Sequence, residues 1–525
     1  MKTKIVLLNA RANDDIYQPH LKRVPINLLT LASMFHEEED NYDFKFVNVD
    51  RYPDESFKKE MIEVTEGALC FGISSMTGYQ IKESLDFAKI IKKHYPDMLI
   101  VWGGWHASIL PHETIKDPNV DIIVKSQGQR TFYELVKALE NKTDLRNVKG
   151  ILFKENGEVI ETPNKEFEDI NNFPPIPYHL FEKTKEYVDD LERLDGTRLI
   201  HYVSSQGCPF ACKFCVEKIV SNRRWKAVGV DRMLQDVDNL VKNYDVNEMI
   251  FYDSLFFVNK RRVVDFCQGI IDRGYKIKFS NLNGRTHILN DFTDEEWEIM
   301  QKAGISGILI GAESGSQKIL DMINKAATVE DTIRTVEITK KYGIDLTISL
   351  MVGLPPERQE DLDEELNLTL DMIERIIKIR NDNNFLLFIY LPYPANELFE
   401  RSVKLGLQPP IDLQGWADFE LHNKITPWIT KKFYNKVMYL KDFILPYISD
   451  VYRERHIDKF HTVQYFFHKL AQFRFKHRFF YFPLEYKIYK FYTTRREKRS
   501  RVVIEREIMR EVHVPIMAEH VITTG

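Results

Sequence analysis

Twice along this 525-residue chain, short apolar runs alternate with segments of helix length, and that rhythm restricts the fold to layered α/β architectures. In the first series KIVLLNA (4–10), DFKFVNVD (43–50), ALCFGISSMTG (68–78), MLIVWGGWHAS (98–108) and VDIIVKSQGQ (120–129) read as strands. INLLTLASMFHEEE (26–39), IKESLDFAKIIKKHYP (81–96) and TFYELVKALE (131–140) read as helices, the second with Ile81, Leu85, Ala88 and Ile91 on one face. Strands separated by helix-length segments pair in parallel, because a parallel neighbour is reached only through a crossover. The expectation is a doubly wound, Rossmann-like sheet. GILFKENGEVIETP (150–163) adds a hairpin that turns at Asn156–Gly157.

A second βα series runs from 198 to about 392, and NNFPPIPYH (171–179), with three prolines in nine positions, separates the two as a linker. Beyond it the periodicity becomes helical and the residues aromatic and basic, as in QYFFHKLAQFRFKHRFFYF (464–482) and RREKRSR (495–501). The organisation expected is a cofactor-binding α/β domain over 1–165, a linker over 166–197, a second βα domain over 198–400 and a helical region over 401–525. A net charge of −5 argues against a protein that coats nucleic acid. The N-terminal apolar run is too short for a secretory signal and reads as the first strand. No uncharged apolar stretch reaches the ~20 residues of a membrane span. The chain is expected in the cytoplasm.

Five cysteines occur, and Cys208, Cys212 and Cys215 fall within eight residues, in SSQGCPFACKFCVEK (204–218). That distribution does not suit a disulfide framework. Three thiolates on one tight loop can each take one iron of a 4Fe–4S cubane, since soft sulfur suits iron–sulfur centres. A fourth cysteine is missing, so one iron is left for another ligand. The competing reading is zinc, which usually shows a second Cys/His pair downstream, and none is evident. Cys70, in an apolar run, and Cys267, in VVDFCQGII, read as buried hydrophobes.

Cys208-x3-Cys212-x2-Cys215, with Phe214 before the last cysteine, resembles the signature of the radical S-adenosylmethionine (SAM) superfamily. FYDSLFF (251–257), NGRTHIL (283–289), GILIGAESGS (307–316), TISLMVGLPPE (347–357) and YLPYPANE (390–397) follow in the superfamily's order. The resemblance implies a partial TIM-like (β/α) barrel whose cluster binds SAM at its open iron. It implies that Phe214 lies near the adenine, and that Asp253 helps hold the methionine amino group. Arg285 and Glu313 would bind the methionine carboxylate and the ribose or amino group, and Gly353 and Leu354 would line the adenine pocket. Such residues sit where βα barrels place their sites, at the C-terminal ends of strands. FYDS and PAN depart from the commoner acidic pair and Pro-Gly-Thr turn.

The first domain lacks a Gly-x-Gly-x-x-Gly turn, which disfavours a dinucleotide. Small residues cluster after its later strands instead: Ser74, Ser75 and Thr77, then Gly103, Gly104, His106 and Ser108, then Gly128. They would let a large flat cofactor approach the strand ends. With Pro25-Ile26-Asn27-Leu28, these segments resemble the cobalamin-binding domain of the subfamily that joins it to a radical SAM core. An acidic segment usual there reads SQGQ here, and no Asp-x-His-x-x-Gly motif is present, so a histidine displacing the cofactor's own base is not implied.

Those resemblances imply an enzyme that uses a 4Fe–4S cluster, SAM and cobalamin. It would reductively cleave SAM to a 5′-deoxyadenosyl radical and methylate an unactivated carbon of a small-molecule or lipid-like substrate. Flavodoxin or ferredoxin would supply the electron. One alternative is a radical oxidoreductase or cyclase, like the anaerobic magnesium-protoporphyrin monomethyl ester cyclase; another is a non-catalytic corrinoid or iron–sulfur sensor. The aromatic, basic C-terminal region reads as a helical cap, or as a lipid- or membrane-surface contact. VHVPIMAEHVITTG (512–525) suggests no role.

Overall fold

The computed structural model describes residues 2–11, 23–49, 53–190, 195–358, 361–419, 426–449 and 461–491; RREKRSR and the final VHVPIMAEHVITTG lie outside them. The first series folds as β1 (Thr3–Asn9), β2 (Tyr42–Asn48), β3 (Cys70–Ser74), β4 (Ile100–Gly103) and β5 (Ile122–Val124), followed by β6 (Ile151–Glu155) and β7 (Glu158–Glu161). They form one sheet in the order β2-β1-β3-β4-β5-β6-β7. The first five are parallel, while β5, β6 and β7 pair antiparallel. Ile5 to Leu8 are buried on both faces of β1, as an apolar run in a doubly covered strand requires. Asn156 and Gly157 take φ of 51° and 84°, which matches the expected tight hairpin turn. Strand order reverses between β1 and β3, and a sheet of this kind opens its ligand crevice at that switch point.

The proline-rich segment is not a loose tether. It forms two single turns, Ile170–Asn172 and Tyr178–Leu180, and a short helix, Thr184–Val188. Phe173, Tyr178, Phe181 and Tyr187 are buried in it. The Tyr178 hydroxyl donates to the His201 carbonyl oxygen at 2.7 Å. Prolines exclude regular structure there, but its aromatic side chains cement the two halves.

The second series begins with β8 (Leu199–Tyr202), β9 (Ser205–Gly207), β10 (Trp225–Ala227) and β11 (Glu248–Phe251). It continues with β12 (Lys278–Ser280), β13 (Leu282–Gly284), β14 (Gly307–Glu313), β15 (Asp345–Val352) and β16 (Asn384–Ile389). β8, β11 and β12 pair in parallel, as do β13 through β16. Only Asn281, at φ 56°, breaks β12 from β13, and Phe279 bridges to Ile305 ahead of β14. The result is an open arc of six parallel strand positions, the expected partial barrel. β9 and β10 form an antiparallel ribbon outside it.

The C-terminal region is helical, as expected, and returns to both domains. Trp416, in the helix Leu413–Ala417, packs among Leu413, Phe419 and the outer core of the first sheet. Its indole Nε1 donates to Glu113 Oε2 at 2.8 Å. Phe443, Tyr447 and Phe467 form edge-on pairs further along, an aromatic core for the helices that follow β16.

Candidate active site

Cys208, Cys212 and Cys215 occupy the loop between β9 and the short helix Glu217–Val220. Gly207 turns the chain into that loop at φ 83°, and a Cβ there would stand 2.1 Å from the Arg224 carbonyl oxygen, so only glycine fits. Distant elements then grip the loop. The Lys213 amide donates to Ile323 O at 2.9 Å, and Asn324 Nδ2 to Ala211 O at 3.1 Å. Asn396 Nδ2 donates to Phe214 O at 3.2 Å while its Oδ1 caps the helix Glu397–Lys404. Lys218 pairs with Glu397.

Arg285 leaves β13 as a buried side chain whose Nη1 lies 3.2 Å from Cys212 Sγ. Its guanidinium stacks 3.9 Å over the Phe210 ring, and its Nε and Nη2 find no hydrogen-bond partner among the described residues. Two unsatisfied buried donors beside a sulfur cluster are costly unless an anion fills the space. Phe214 is half-buried on the same loop.

Glu313 ends β14 at a bulge, in left-handed backbone at φ 62°. Such strain in a glutamate persists only where the surroundings enforce it. Here the Lys325 ammonium, 2.7 Å from Oε1 and buried, holds the carboxylate. Asp253, after β11, is turned inward rather than toward open space. It accepts from the Ser204 amide at 2.6 Å, Ser204 Oγ at 2.5 Å and Ser205 Oγ at 2.7 Å. Burial raises its pKa, and the charge of nearby Arg262 and the serine donors oppose that. Its carboxylate thus fixes the strand leading into the cysteine loop.

Gly353 and Leu354 follow β15. The Gly353 amide donates to Glu365 Oε2 at 3.3 Å, and Trp428 Nε1 donates to the Gly353 carbonyl at 3.0 Å. Glu365 lies on the helix Asp361–Ile379, with its other oxygen unpartnered and its pKa pushed up to about 8 by burial.

The thiols fit an iron–sulfur cluster. Burial pushes Cys215 up to about 12 against the lowering effect of a hydrogen bond from the Glu217 backbone, and Cys208 is raised for the same first reason. Thiols in such a place ionise only against a positive centre. Arg285 supplies the donor that such sulfurs accept. Cys70 and Cys267 are fully buried elsewhere, as expected.

A cavity of about 740 Å³ opens between the two domains, in the size range of cofactor sites. Ser74, Ser75, Gly103, Gly104 and Gly128 line it from the strand ends of the first domain. Ser205, Gly207, Glu217 and Ser254 line it from the side of the cysteine loop. Gln127 Nε2 donates to Gln206 Oε1 at 3.0 Å across the seam. The small residues leave a smooth wall for a flat macrocycle, so the cavity fits a corrinoid.

Three expected contacts of that cofactor are not among the lining residues. His106 is fully buried, with Thr77 Oγ1 3.0 Å from its Nδ1 and the tilted Trp416 ring centred 5.8 Å away. Burial lowers its pKa to about 3. Ser108 Oγ donates to Gly104 O at 2.7 Å and accepts from the Ser126 amide at 2.8 Å. For His106 and Ser108 the cause is helical geometry, since the turn 105–109 that puts Trp105 in the lining leaves them out of it, and Thr77 is held beside the His106 ring. Lys325, Asn396, Glu217 and Glu365 were not anticipated. Only Glu365 left a signal, a carboxylate on the same helix face as Leu362, Leu366 and Thr369.

Comparison with known proteins agrees with this layout. The sequence model of the Radical SAM superfamily matches residues 202–369, and that of the B12 binding domain matches 20–136. An uncharacterized methyltransferase of Pyrococcus horikoshii is 27% identical over 82% of this chain and 87% of its own. Anaerobic magnesium-protoporphyrin IX monomethyl ester cyclase of Rubrivivax gelatinosus is 26% identical over 66% of this chain, which spans 59% of the cyclase. Among solved structures, the radical SAM methyltransferase TsrM of Kitasatospora setae, with cobalamin and a [4Fe–4S] cluster bound, superposes with a TM-score of 0.62. It is 16% identical over 77% of this chain and 78% of that one, a likeness of fold.

Proposed function

This chain belongs to the radical SAM enzymes that carry a B12-binding domain, with a 4Fe–4S cluster, SAM and cobalamin as cofactors, and we propose that it methylates an unactivated carbon. The observation that carries the reading is the cavity lined by the small residues at the first domain's strand ends and, across from them, by Gly207 and Glu217 on either side of the cysteine loop. When bound, the cluster supplies the electron that opens SAM, and the corrinoid supplies the methyl group.

The chain's own residues prepare that chemistry. Cys208, Cys212 and Cys215 would each hold one iron and leave the fourth for SAM. Arg285, beside Cys212 with Nε and Nη2 unpartnered, would offer those donors to the carboxylate of the methionine part. Glu313, clamped by Lys325, would meet the ribose or amino group. Phe214 and the Gly353–Leu354 turn, which Glu365 and Trp428 tie down, would flank the adenine. Asp253 acts through Ser204 and Ser205, fixing the loop on which the cysteines sit. Ser74, Ser75, Gly103, Gly104 and Gly128 bound the corrinoid face.

The substrate is a small or lipid-like molecule, and a flavodoxin- or ferredoxin-type protein supplies electrons. Five unpaired cysteines suit the reducing cytoplasm. Among the described residues no helix is long and apolar enough to cross a membrane. The similarity to the cyclase favours a second reading, oxidative ring closure in the same cavity. SAM labelled in its methyl group separates them. Label recovered in the product supports methyl transfer; an unlabelled, oxidised product made with 5′-deoxyadenosine overturns it.

A further inference from the structure

Residues 465–491 present a concentration of exposed aromatic side chains that the active site does not use. On the helix His461–Lys476, Phe466 and Phe473 face solvent with Tyr465. At about 100° per residue these three share one arc of roughly 100° with Lys469 and Lys476. The opposite face, with Ala471 and Phe475, is buried. The turn that follows displays Phe479, Tyr481, Phe482 and Leu484, with Phe482 87% exposed.

That turn is built rather than slack. Arg474, itself buried, donates to the carbonyl oxygens of Phe479, Tyr481 and Phe482 at 3.1, 2.9 and 3.1 Å, and pairs with buried Glu485 at 2.7 Å. Arg478 and Phe482 hold left-handed backbone, with φ of 50° and 52°. A bulky aromatic in that conformation costs energy, and such strain is kept where it positions a side chain for use. Here it thrusts a phenylalanine into solvent.

Charge identifies the occupant. The chain carries a net charge of −5, yet of the six Lys and Arg in residues 465–491, Arg474, Arg478 and Lys490 pair with Glu485, Asp371, Glu374 and Asp442, which leaves three lysines in excess. Lys469, Lys476 and Lys487 are exposed among the aromatics. RREKRSR at 495–501 continues the basic run in sequence. Aromatic rings interleaved with lysines match the boundary between acyl chains and anionic headgroups. A protein partner of acidic character would match the lysines but has no equal use for a protruding phenylalanine.

We infer that this face docks the enzyme on an anionic lipid bilayer surface, with Phe482 and its neighbours in the headgroup boundary and the lysines against the charge. The inference stands on the surface alone and does not depend on the reaction proposed above.

Flotation of the full-length holoenzyme with vesicles tests it. Vesicles of phosphatidylcholine with about one quarter phosphatidylserine should carry the protein upward, and pure phosphatidylcholine vesicles should carry much less. Tyr481→Ser with Phe482→Ser, and separately Lys476→Glu with Lys487→Glu, should each weaken binding about tenfold or more, the second pair most at low salt. Cluster absorbance and SAM cleavage should be unchanged in both, which shows that the variants are folded. Absence of wild-type binding to the anionic vesicles overturns the proposal. So does equal binding by the serine variant, or a wild-type self-association that this variant abolishes, which would make the face a protein interface.

Discussion

The strand ends of the two domains are built differently. At those of the barrel, buried side chains meet in specific polar pairs: Arg285 against Cys212, Glu313 against Lys325, Asp253 against Ser204 and Ser205. At those of the first domain, Ser74, Ser75, Gly103, Gly104 and Gly128 line the cavity beside larger residues such as Arg11, Trp105 and Phe132, and His106 of the glycine-rich turn is buried outside the lining. The barrel end is thus an electrostatic surface that depends on individual side chains, and the small-residue strand ends form a shape-built wall that depends on the space they leave open.

If so, the largest effect belongs to the barrel. Cys212→Ala should abolish the cluster's visible absorption and lower SAM cleavage by more than about a thousandfold, measured as 5′-deoxyadenosine. On the shape-built wall the damaging change is an addition. A Cβ at Gly128 would sit 3.5 Å from Val124 Cγ1, an ordinary contact, but the outer carbons of leucine would enter the cavity. Gly128→Leu should weaken cobalamin binding about tenfold or more, followed by its visible spectrum, while SAM cleavage persists.

A smaller effect sharpens the electrostatic half. Glu365 stays protonated in the folded protein up to about pH 8, because burial penalises its charge. The unfolded chain releases that proton near ~4.3. This contribution to stability is therefore whole below the unfolded value and is lost as pH rises toward about 8. Between about pH 5 and about pH 8.5 the wild type should lose a few degrees more in Tm than Glu365→Gln, which carries no proton to give up. The smallest effect is at His106. His106→Leu should change cobalamin affinity by less than about twofold. A large loss would place the imidazole at the cofactor and break the comparison.

Much of the candidate site on the barrel could be picked out in the sequence because its pieces are local. The cysteine spacing, Arg285, Glu313 and Gly353 each sit on a short segment that marks its own strand end. Their partners were not legible, since Lys325, Asn396 and Glu365 arrive from other segments, Asn396 from 182 positions beyond Phe214. Both βα series could be read from their periodicity, including the hairpin at Asn156–Gly157. Side-chain direction could not: glycines around His106 suggested a cofactor contact, but one turn of helix aims it at Trp416. The proline-rich segment misled in another way. Composition told against helix and strand, and the packing of Tyr178 and Phe181 depends on surfaces more than twenty residues away.

The proposed reaction needs a cluster with one iron free for SAM. Metal analysis and electron paramagnetic resonance on anaerobically prepared, reduced protein address it directly. About four irons per chain, with a reduced-cluster signal that shifts when SAM is added, is the result expected. Zinc at the cysteine loop, or an iron signal indifferent to SAM, would contradict it.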